Sequence, residues 1–366
     1  MTPSPGAPAH TPHTPLGRVV GLSLALAAVV AVVVLAFAWP AVTAEPRDLP
    51  IAVAGPADSV TAVEDALAEK QPDVFDFHDV ADRGAVVTAI EKREVYGAIV
   101  LSDERGVAPE VLTSSASNLS VSQMLAGVGS ALEAQINAQA AAAAAAAGAP
   151  APAHITVTVT DVVPLADSDP RGTGLTAAMF PLVMGGMIGG IGISIAVIGA
   201  LRRVLAVVIY AAVGGVALAG ILAGWFGSLQ GDFWTEAAVI ALALAAIAAP
   251  ITGVVALIGR AGIAVGPVVM MLFANPISAS TMPKEFLPGG WGQVGQWFPP
   301  GAAANLLRDV SYFPSADALF SWLVLGAWTV GGLLLSVVGH FRTAGGAEPD
   351  EIAAHEDDPV VEPVVA

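Results

Sequence analysis

The sequence predicts an α-helical polytopic membrane protein with six transmembrane helices and an extracytoplasmic α/β domain between the first and second spans. Of its 366 residues, 55% are apolar and 12% are charged, whereas about a quarter of the residues of a soluble domain are charged. The apolar residues fall in blocks of about 20, the helix length that crosses a hydrocarbon core about 30 Å thick. Between the first two blocks, Glu45–Arg171 has the mixed composition of a soluble domain, with 19 acidic and seven basic residues.

Six apolar blocks without a charged residue are the predicted spans. They are Val19–Trp39, Leu175–Leu201, Val204–Phe226, Ala237–Ile258, Ala261–Ser278 and Ala318–Val338. Pro267 and the Asn275-Pro276 pair interrupt the fifth block, which favours a short or broken helix there. Val42-Thr43-Ala44 resembles a signal-peptidase site, but the first block has about 21 apolar residues, more than the roughly 7–15 of a signal peptide. We therefore expect an uncleaved anchor, with cleavage as the alternative.

Arginine positions predict the orientation, because positively charged residues are enriched in short cytoplasmic loops. If both termini are cytoplasmic, most arginines next to a span lie on the cytoplasmic side: Arg18, Arg202, Arg203, Arg260 and Arg342. Lys284 and Arg308, in the external stretch Ala279–Asp317, are the exceptions. We therefore expect a multi-pass protein of the cell membrane with Glu45–Arg171 outside.

These features divide the chain into five parts. We predict a disordered cytoplasmic N-terminus (1–17), transmembrane helix 1 (18–40), an extracytoplasmic α/β domain with a long Ala-rich helix (41–171), a five-span membrane domain (172–342) and an acidic disordered cytoplasmic tail (343–366). Within the five-span domain, residues 279–317 are expected to form an external re-entrant or interfacial segment. The tail carries seven acids and no base, a composition typical of solvated segments.

Hydrophobic periodicity predicts the elements of the α/β domain. In order, these are a strand at Ile51–Ala54, a helix at Asp58–Lys70, a strand near Val74–Phe77, a helix near Ala81–Arg93, a strand at Val95–Leu101, a helix at Asn118–Ala147 and a strand at Ile155–Val163. The first five have the β-α-β-α-β order of a small α/β layer. The alanine tract at the end of the long helix favours helix strongly; it is either an arm that holds the domain or a spacer.

The chain contains no recognisable energy source or catalytic centre. Its three lysines, Lys70, Lys92 and Lys284, follow Glu or Pro, so none belongs to a nucleotide-binding P-loop, which requires Gly-Lys-Ser or Gly-Lys-Thr. The six spans lack the acids, histidines or arginines that ion coupling normally needs.

The absence of cysteine excludes disulfides and thiol catalysis, and the six histidines show no metal-ligand spacing. We expect no enzyme activity, no metal and no cofactor in this chain, and a net charge of −17 disfavours a nucleic-acid partner.

The order of one span, an external α/β domain and then five spans resembles the permeases of the ABC-2 type transporter group and the related phage-infection-protein-like membrane proteins. The similar segments are Leu49–Val53, Val95–Val100, Leu112–Ala116, Phe286–Pro288, Trp297–Gly301 and Asn305–Arg308. The chain departs from the family at Leu101-Ser102-Asp103, where the third strand commonly runs on into a proline, and it lacks the long coiled insert of the phage-infection proteins.

The resemblance implies the permease subunit of an ABC-type exporter. Such a subunit moves a hydrophobic or amphipathic substrate outward, contacts membrane lipid, and works as a homodimer or paired permease. A separate cytoplasmic ABC ATPase subunit binds the ATP. The alternative is a non-transporting membrane receptor or envelope scaffold whose extracytoplasmic domain binds a partner; an associated ATPase would distinguish the two.

Two groups of residues are candidate sites. Gly185, Gly186, Gly189 and Gly190 form two overlapping GxxxG arrangements, which let helices approach closely; they mark either a seam between protomers or the substrate path, or ordinary packing within one bundle. Trp291, Trp297, Phe298 and Arg308 lie in the predicted external segment. This second group is either an aromatic belt that anchors a loop or an external gate, where Arg308 would meet the phosphate or carboxylate headgroup of a lipid-like substrate.

Overall fold

The computed structural model describes residues 14–102, 107–150 and 152–342. Within these ranges the chain forms a helical bundle and an α/β domain, which is inserted between the first and second long helices. The predicted disordered termini, 1–17 and 343–366, lie almost entirely outside the described residues.

The α/β domain contains a five-stranded mixed sheet with the strand order β2-β1-β3-β4-β5. Its strands are β1 (Leu49–Ala54), β2 (Phe75–Asp79), β3 (Gly97–Val100), β4 (Glu110–Thr113) and β5 (Thr158–Asp161). Strand β1 pairs in parallel with β2 and β3, β4 runs antiparallel to β3, and β5 runs parallel to β4. The predicted α/β order is therefore present, and it is extended by two strands on one edge.

The central strands of this sheet are buried on both faces. On one face Ile51 and Ile99 pack with α4 (Leu119–Ala146), and α2 (Ala57–Lys70) covers the rest of this cluster. On the other face Ala52 and Ala98 pack with Val86 and Ile90 of α3 (Arg83–Glu91). Because successive strand residues point to opposite faces, the apolar run Ile51–Ala54 serves both clusters.

Five helices of the bundle are long and apolar enough to cross a membrane. They are α1 (Leu16–Thr43), α5 (Thr173–Ala196), α6 (Ala200–Ala219) with its π-helical continuation Gly220–Trp225, α7 (Phe233–Ile258) with the 3₁₀ turn Gly259–Ala264, and α10 (Leu319–Arg342). Helix α7 is the centre, since α5, α6 and α10 all pack on it and most of its apolar side chains are buried. Helix α1 stands at the edge, and Pro40 is its one buried residue.

The fifth predicted span, Ala261–Ser278, is not a long α-helix. It consists of the end of the 3₁₀ turn Gly259–Ala264 and a π-helix over Pro267–Ala274. The long α-helix ends at Ile258, before Gly259 with its φ of 70°, and Pro267 occupies the first turn of the π-helix, where its missing amide hydrogen is tolerated. Among the described residues, therefore, five helices rather than six have the length and composition of a membrane span, and the six-span count stays a prediction.

The α/β domain lies at one end of the bundle, which we call the sheet end. Helix α1 ends there, and α5, α7 and α10 begin there. The opposite end, which we call the arginine end, holds the start of α1 with Arg18, the short α5–α6 turn before Arg202, the 3₁₀ turn with Arg260, and the last residue of α10, Arg342. The basic residues singled out in the sequence are thus gathered at the end away from the sheet.

Residues 279–317 connect the bundle to the α/β domain. This segment contains 3₁₀ turns at Lys284–Phe286 and Pro288–Gly290, then α8 (Trp291–Gly295) and α9 (Pro299–Tyr312). Helix α9 is inserted into the bundle, where Ala302, Leu306 and Leu307 are fully buried beside α7 residues. The segment therefore belongs to the bundle core on one side and faces the sheet on the other.

Candidate functional site

An ion pair at the sheet end joins the α/β domain to α9. Arg93 directly follows α3 and donates through Nη1 to Asp309 and, at 3.0 Å, to Oδ1 of Asn305. Its guanidinium lies over the ring of Phe313, 5.3 Å from the centroid. The side chains are 16% exposed for Arg93 and 8% for Asp309, so this pair is largely shielded from solvent. Burial raises the pKa of the Asp309 carboxyl, against the lowering effect of Arg93.

The backbone at Arg93 explains its direction. Arg93 has a φ of 58°, a left-handed conformation that is uncommon outside glycine and that commonly ends a helix. Its amide nitrogen donates to Ile90 O, and that of Glu94 donates to Ala89 O. The end of α3 therefore turns Arg93 away from the sheet and toward α9.

Two further hydrogen bonds support this junction. The hydroxyl of Tyr96 donates to Oε2 of Glu285 at 2.9 Å, and burial raises the Tyr96 pKa far above its ordinary value. The amide of Glu45, after α1, donates to Phe286 O at 3.2 Å. The 3₁₀ turn at Lys284–Phe286 is thus held by both the sheet and the end of α1.

A polar cavity of about 220 Å³ lies at this junction. The α/β domain contributes Lys92, Arg93 and Tyr96, and the bundle segment contributes Lys284 and Arg308. Arg308 is partly buried and makes no hydrogen bond or ion pair with any residue that the structure describes. Burial and the neighbouring Arg93 lower its pKa to about 10, so it remains charged at neutral pH. The cavity therefore contains a partly buried cation that has no direct hydrogen-bond or ion-pair partner among the described residues.

A second cavity, of about 300 Å³, is apolar. It lies at the sheet end of α5, α6 and α7 and is lined by side chains such as Met179, Leu182, Leu218, Leu222 and Phe226. The π-helical turns Gly220–Trp225 form one of its walls. Its size and lining suit an acyl chain or another apolar group.

The four glycines of the predicted seam lie inside the bundle of this one chain. An added Cβ at Gly186 would lie 2.7 Å from Ile247, at Gly189 2.2 Å from the Tyr210 ring, and at Gly190 3.0 Å from the Ala248 backbone. Gly185 is less crowded, and its carbonyl oxygen accepts a hydrogen bond of 2.6 Å from the Tyr210 hydroxyl. The glycines therefore let α5 approach α6 and α7 within this chain, and a seam between protomers or a substrate path at these glycines stays a prediction.

The aromatic residues of the predicted gate form contacts with three neighbouring helices. Trp291 packs edge-on against Trp39 of α1 and Phe273 of the π-helix, with centroid distances of 6.4 and 6.1 Å. Phe298 lies 5.3 Å from Phe273. Trp297 packs against Phe320 of α10 at 4.9 Å and is 62% exposed. Arg308 is not among these aromatics but in the polar cavity, so the structure separates the predicted group into a surface cluster and a buried cation.

Two charged residues lie inside long helices, because α6 and α7 begin before the predicted spans; the sequence analysis used Arg203 for the orientation only and did not single out Glu236. Arg203, 2% exposed, donates to Val197 O and Ser194 O and so caps the end of α5. Glu236 in the first turn of α7 is fully buried; its Oε1 accepts from the Gly231 amide at 2.8 Å, and its Oε2 accepts no hydrogen bond from the residues that the structure describes. Both residues lie in the first turn of their helix. The ion-coupling groups of transporters lie instead near the middle of the membrane.

No metal centre emerges from the part of the chain that the structure describes. His78 lies 3.3 Å from Asp76 at the exposed end of β2, and no group of three or more metal-ligating side chains occurs among the described residues.

Comparison with known proteins gives no relative. No family model matches the chain, and it matches no curated protein and no solved structure. The function must therefore be argued from the residues and their arrangement.

Proposed function

We propose that this chain is the membrane-embedded permease subunit of an ABC-type exporter that moves a hydrophobic or amphipathic substrate outward. The observation that carries the proposal is the division of the bundle into two unlike ends. The α/β domain and residues 279–317 cover the sheet end, whereas the arginine end carries only short turns and basic residues among the described ranges. A separate ABC ATPase subunit would bind ATP and dock on the arginine end.

The positive-inside rule supports this orientation. With Arg18, Arg202, Arg260 and Arg342 in the cytoplasm, successive membrane helices alternate in direction. The irregular segment 259–274 then crosses the membrane as the sixth span. The α/β domain is then outside, and both termini are cytoplasmic. Broken or irregular helices of this kind are tolerated inside a membrane where other parts of the protein shield their backbone from lipid.

The apolar cavity between α5, α6 and α7 supports a hydrophobic or amphipathic substrate class. It opens near the sheet end, the side on which an exporter releases its substrate, and its lining is almost entirely apolar. The partly exposed aromatic cluster around Trp291 and Trp297 lies at the same end of the bundle. We propose that the working unit contains two permease copies, as the resemblance implies.

Purification from membranes of the native host tests the proposal. The full chain, solubilised in mild detergent, should co-purify with vanadate-sensitive ATP hydrolysis, although the chain expressed alone should hydrolyse no ATP. Arg202 is exposed at the arginine end, so Arg202→Glu should reduce the co-purified activity. Arg47 is exposed next to β1 in the α/β domain, so Arg47→Glu is the matched control and should retain it.

The opposite result is equally informative. If no ATP-hydrolysing subunit accompanies the wild-type chain, or if both charge reversals retain the activity equally, the exporter proposal fails. The alternative, a receptor or scaffold whose α/β domain binds a partner, would then be favoured.

A further inference from the structure

The polar cavity contains a cation, Arg308, that has no direct hydrogen-bond or ion-pair partner among the described residues. Of its charged lining residues, the acids Glu285 and Asp309 already accept hydrogen bonds from Tyr96 and Arg93, and Asp317 accepts one from the Leu319 amide. Glu94 is exposed. Arg308 alone combines partial burial with the lack of any hydrogen bond or ion pair to a described residue. An ionised group taken from water without a partner destabilises the folded state, so a bound anion would stabilise this arrangement.

The surroundings of Arg308 favour an anion further. Arg93 contributes a second guanidinium whose charge repels that of Arg308, and Lys92 and Lys284 also line the cavity. Arg93 is already paired with Asp309 and Lys284 with Glu285, and Lys92 is exposed, which leaves Arg308 as the partly buried cation of the lining without a direct partner. An anion between Arg93 and Arg308 would relieve the repulsion.

We infer that this cavity is a phosphate-binding site in which the Arg308 guanidinium holds the phosphate oxygens. A guanidinium presents its N–H groups in a fork that matches two oxygens of a phosphate. The cavity volume of about 220 Å³ exceeds the share of one water molecule in the liquid, about 30 Å³, several times, so a phosphate with part of its ester substituent can enter. The phosphate could come from a phospholipid headgroup or from a soluble phosphate compound, and both share this chemistry.

The site would also join the two parts of the molecule. Arg308 belongs to α9 of the bundle, whereas Lys92 and Arg93 belong to the connection between α3 and β3 of the α/β domain. A phosphate between them would stabilise the contact of the domain with the bundle. This inference does not depend on the exporter proposal, since a receptor could use the same site.

Two binding measurements on the purified full chain distinguish the sources. Isothermal titration calorimetry in phosphate-free buffer uses inorganic phosphate as the probe. Native mass spectrometry of the detergent-solubilised protein detects a retained phospholipid. Phosphate binding without retained lipid indicates a soluble ligand, and a retained phospholipid at about one per chain indicates a headgroup; either result supports the site.

Substitutions assign the binding to Arg308. Arg308→Gln should weaken phosphate affinity about tenfold or more, or abolish lipid retention, because it removes a charged hydrogen-bond donor. Arg308→Lys keeps the charge but loses the fork and should weaken binding less. Arg47→Gln, at an exposed arginine outside the cavity, should bind like the wild type.

Two outcomes would overturn the inference. One is that the wild-type chain binds neither inorganic phosphate nor phospholipid. The other is that Arg308→Gln and Arg47→Gln bind equally well. If Arg308→Gln does not fold, the comparison passes to Arg308→Lys and Arg47→Lys, and equal binding by that pair would contradict the site in the same way.

Discussion

At the scale of single residues, the contact between domain and bundle depends most on the pair Arg93–Asp309. Replacing Arg93 with Gln would leave the buried Asp309 carboxylate without its cation. Breaking one side of a buried pair typically costs about 3–5 kcal/mol, so we expect Arg93→Gln to lower the unfolding midpoint in detergent clearly. Arg83→Gln is the matched control, because Arg83 pairs with Glu110 at an exposed site, where such pairs contribute about 0–1 kcal/mol. Equal effects of the two substitutions would refute a structural role for the Arg93 pair.

The same pair predicts a pH dependence. Burial raises the pKa of Asp309 and Arg93 opposes that shift, so the pKa should rise further in Arg93→Gln. A carboxyl with a raised pKa in the folded state binds more protons folded than unfolded, and the folded state gains stability as pH falls through that pKa. The defect of Arg93→Gln should therefore shrink between neutral pH and pH 4, as measured by thermal unfolding at several pH values. A defect that is constant or grows over this range would contradict the assignment.

Gly189 is the residue at which the glycine packing can be tested most sharply. A Cβ there would lie 2.2 Å from the Tyr210 ring, so Gly189→Leu must displace Tyr210 and its hydrogen bond to Gly185. Overpacking of this kind costs about 1–3 kcal/mol or more. Gly192 lies in the same helix, is exposed, and has nothing within 4 Å of an added Cβ; Gly192→Leu should be neutral or stabilising, because leucine favours helix. Similar thermal stabilities of the two variants would show that α5 does not pack as described.

At the scale of elements, periodicity predicted the helices of the α/β domain well and the irregular parts poorly. The helix predicted at Asp58–Lys70 begins at Ala57, and the one predicted at Asn118–Ala147 spans Leu119–Ala146 with Asn118 as its cap. Strand β4 was missed, because Glu110–Thr113 is too short to show alternation. The break of the fifth span was expected from Pro267, but not its π-helical form, which depends on packing against other helices.

For the candidate sites too, the sequence predicted features within one element but not contacts between distant elements. The glycine spacing along one helix could be read from the sequence, whereas the cavity brings together Arg93 and Arg308, more than two hundred positions apart. Arg308 was singled out, but as a neighbour of the aromatics. Its true neighbours belong to the α3–β3 connection, and no pattern within one segment indicates that contact.

Helix α4 offers a prediction at this scale. Asn137 exchanges two hydrogen bonds with the backbone of Ile155, at 2.7 and 2.9 Å, and so fixes the chain on its way to β5. Asn137→Ala should destabilise the α/β domain by about 1–3 kcal/mol, since it removes two partly buried hydrogen bonds, each of which contributes about 0.5–1.5 kcal/mol. Gln139→Ala removes a similar amide from an exposed position of the same helix and should have little effect. Unfolding followed by circular dichroism compares them; a loss of stability in Gln139→Ala as large as in Asn137→Ala would contradict this role.

At the scale of the whole molecule, the account requires the sheet end and the arginine end to lie on opposite sides of the membrane. The chain has no cysteine, so single cysteines report topology without background. Ser130→Cys is exposed on α4 of the α/β domain and should react with an impermeant thiol reagent on intact cells. Ala353→Cys, in the C-terminal segment beyond the described residues, should react only after the cells are opened. Reaction of both sites, or of Ala353→Cys alone, on intact cells would contradict the proposed orientation.

The proposed function requires a separate ATPase subunit to dock on the arginine end of the bundle. In-cell cross-linking tests it most directly, with a bifunctional thiol photo-cross-linker attached to Arg202→Cys or, as the control at the other end, to Ser130→Cys. The account predicts that Arg202→Cys captures an ATP-binding protein whose yield changes when vanadate traps the nucleotide, and that Ser130→Cys captures none. Capture of no ATP-binding protein by Arg202→Cys, or equal capture by both sites, would contradict the account.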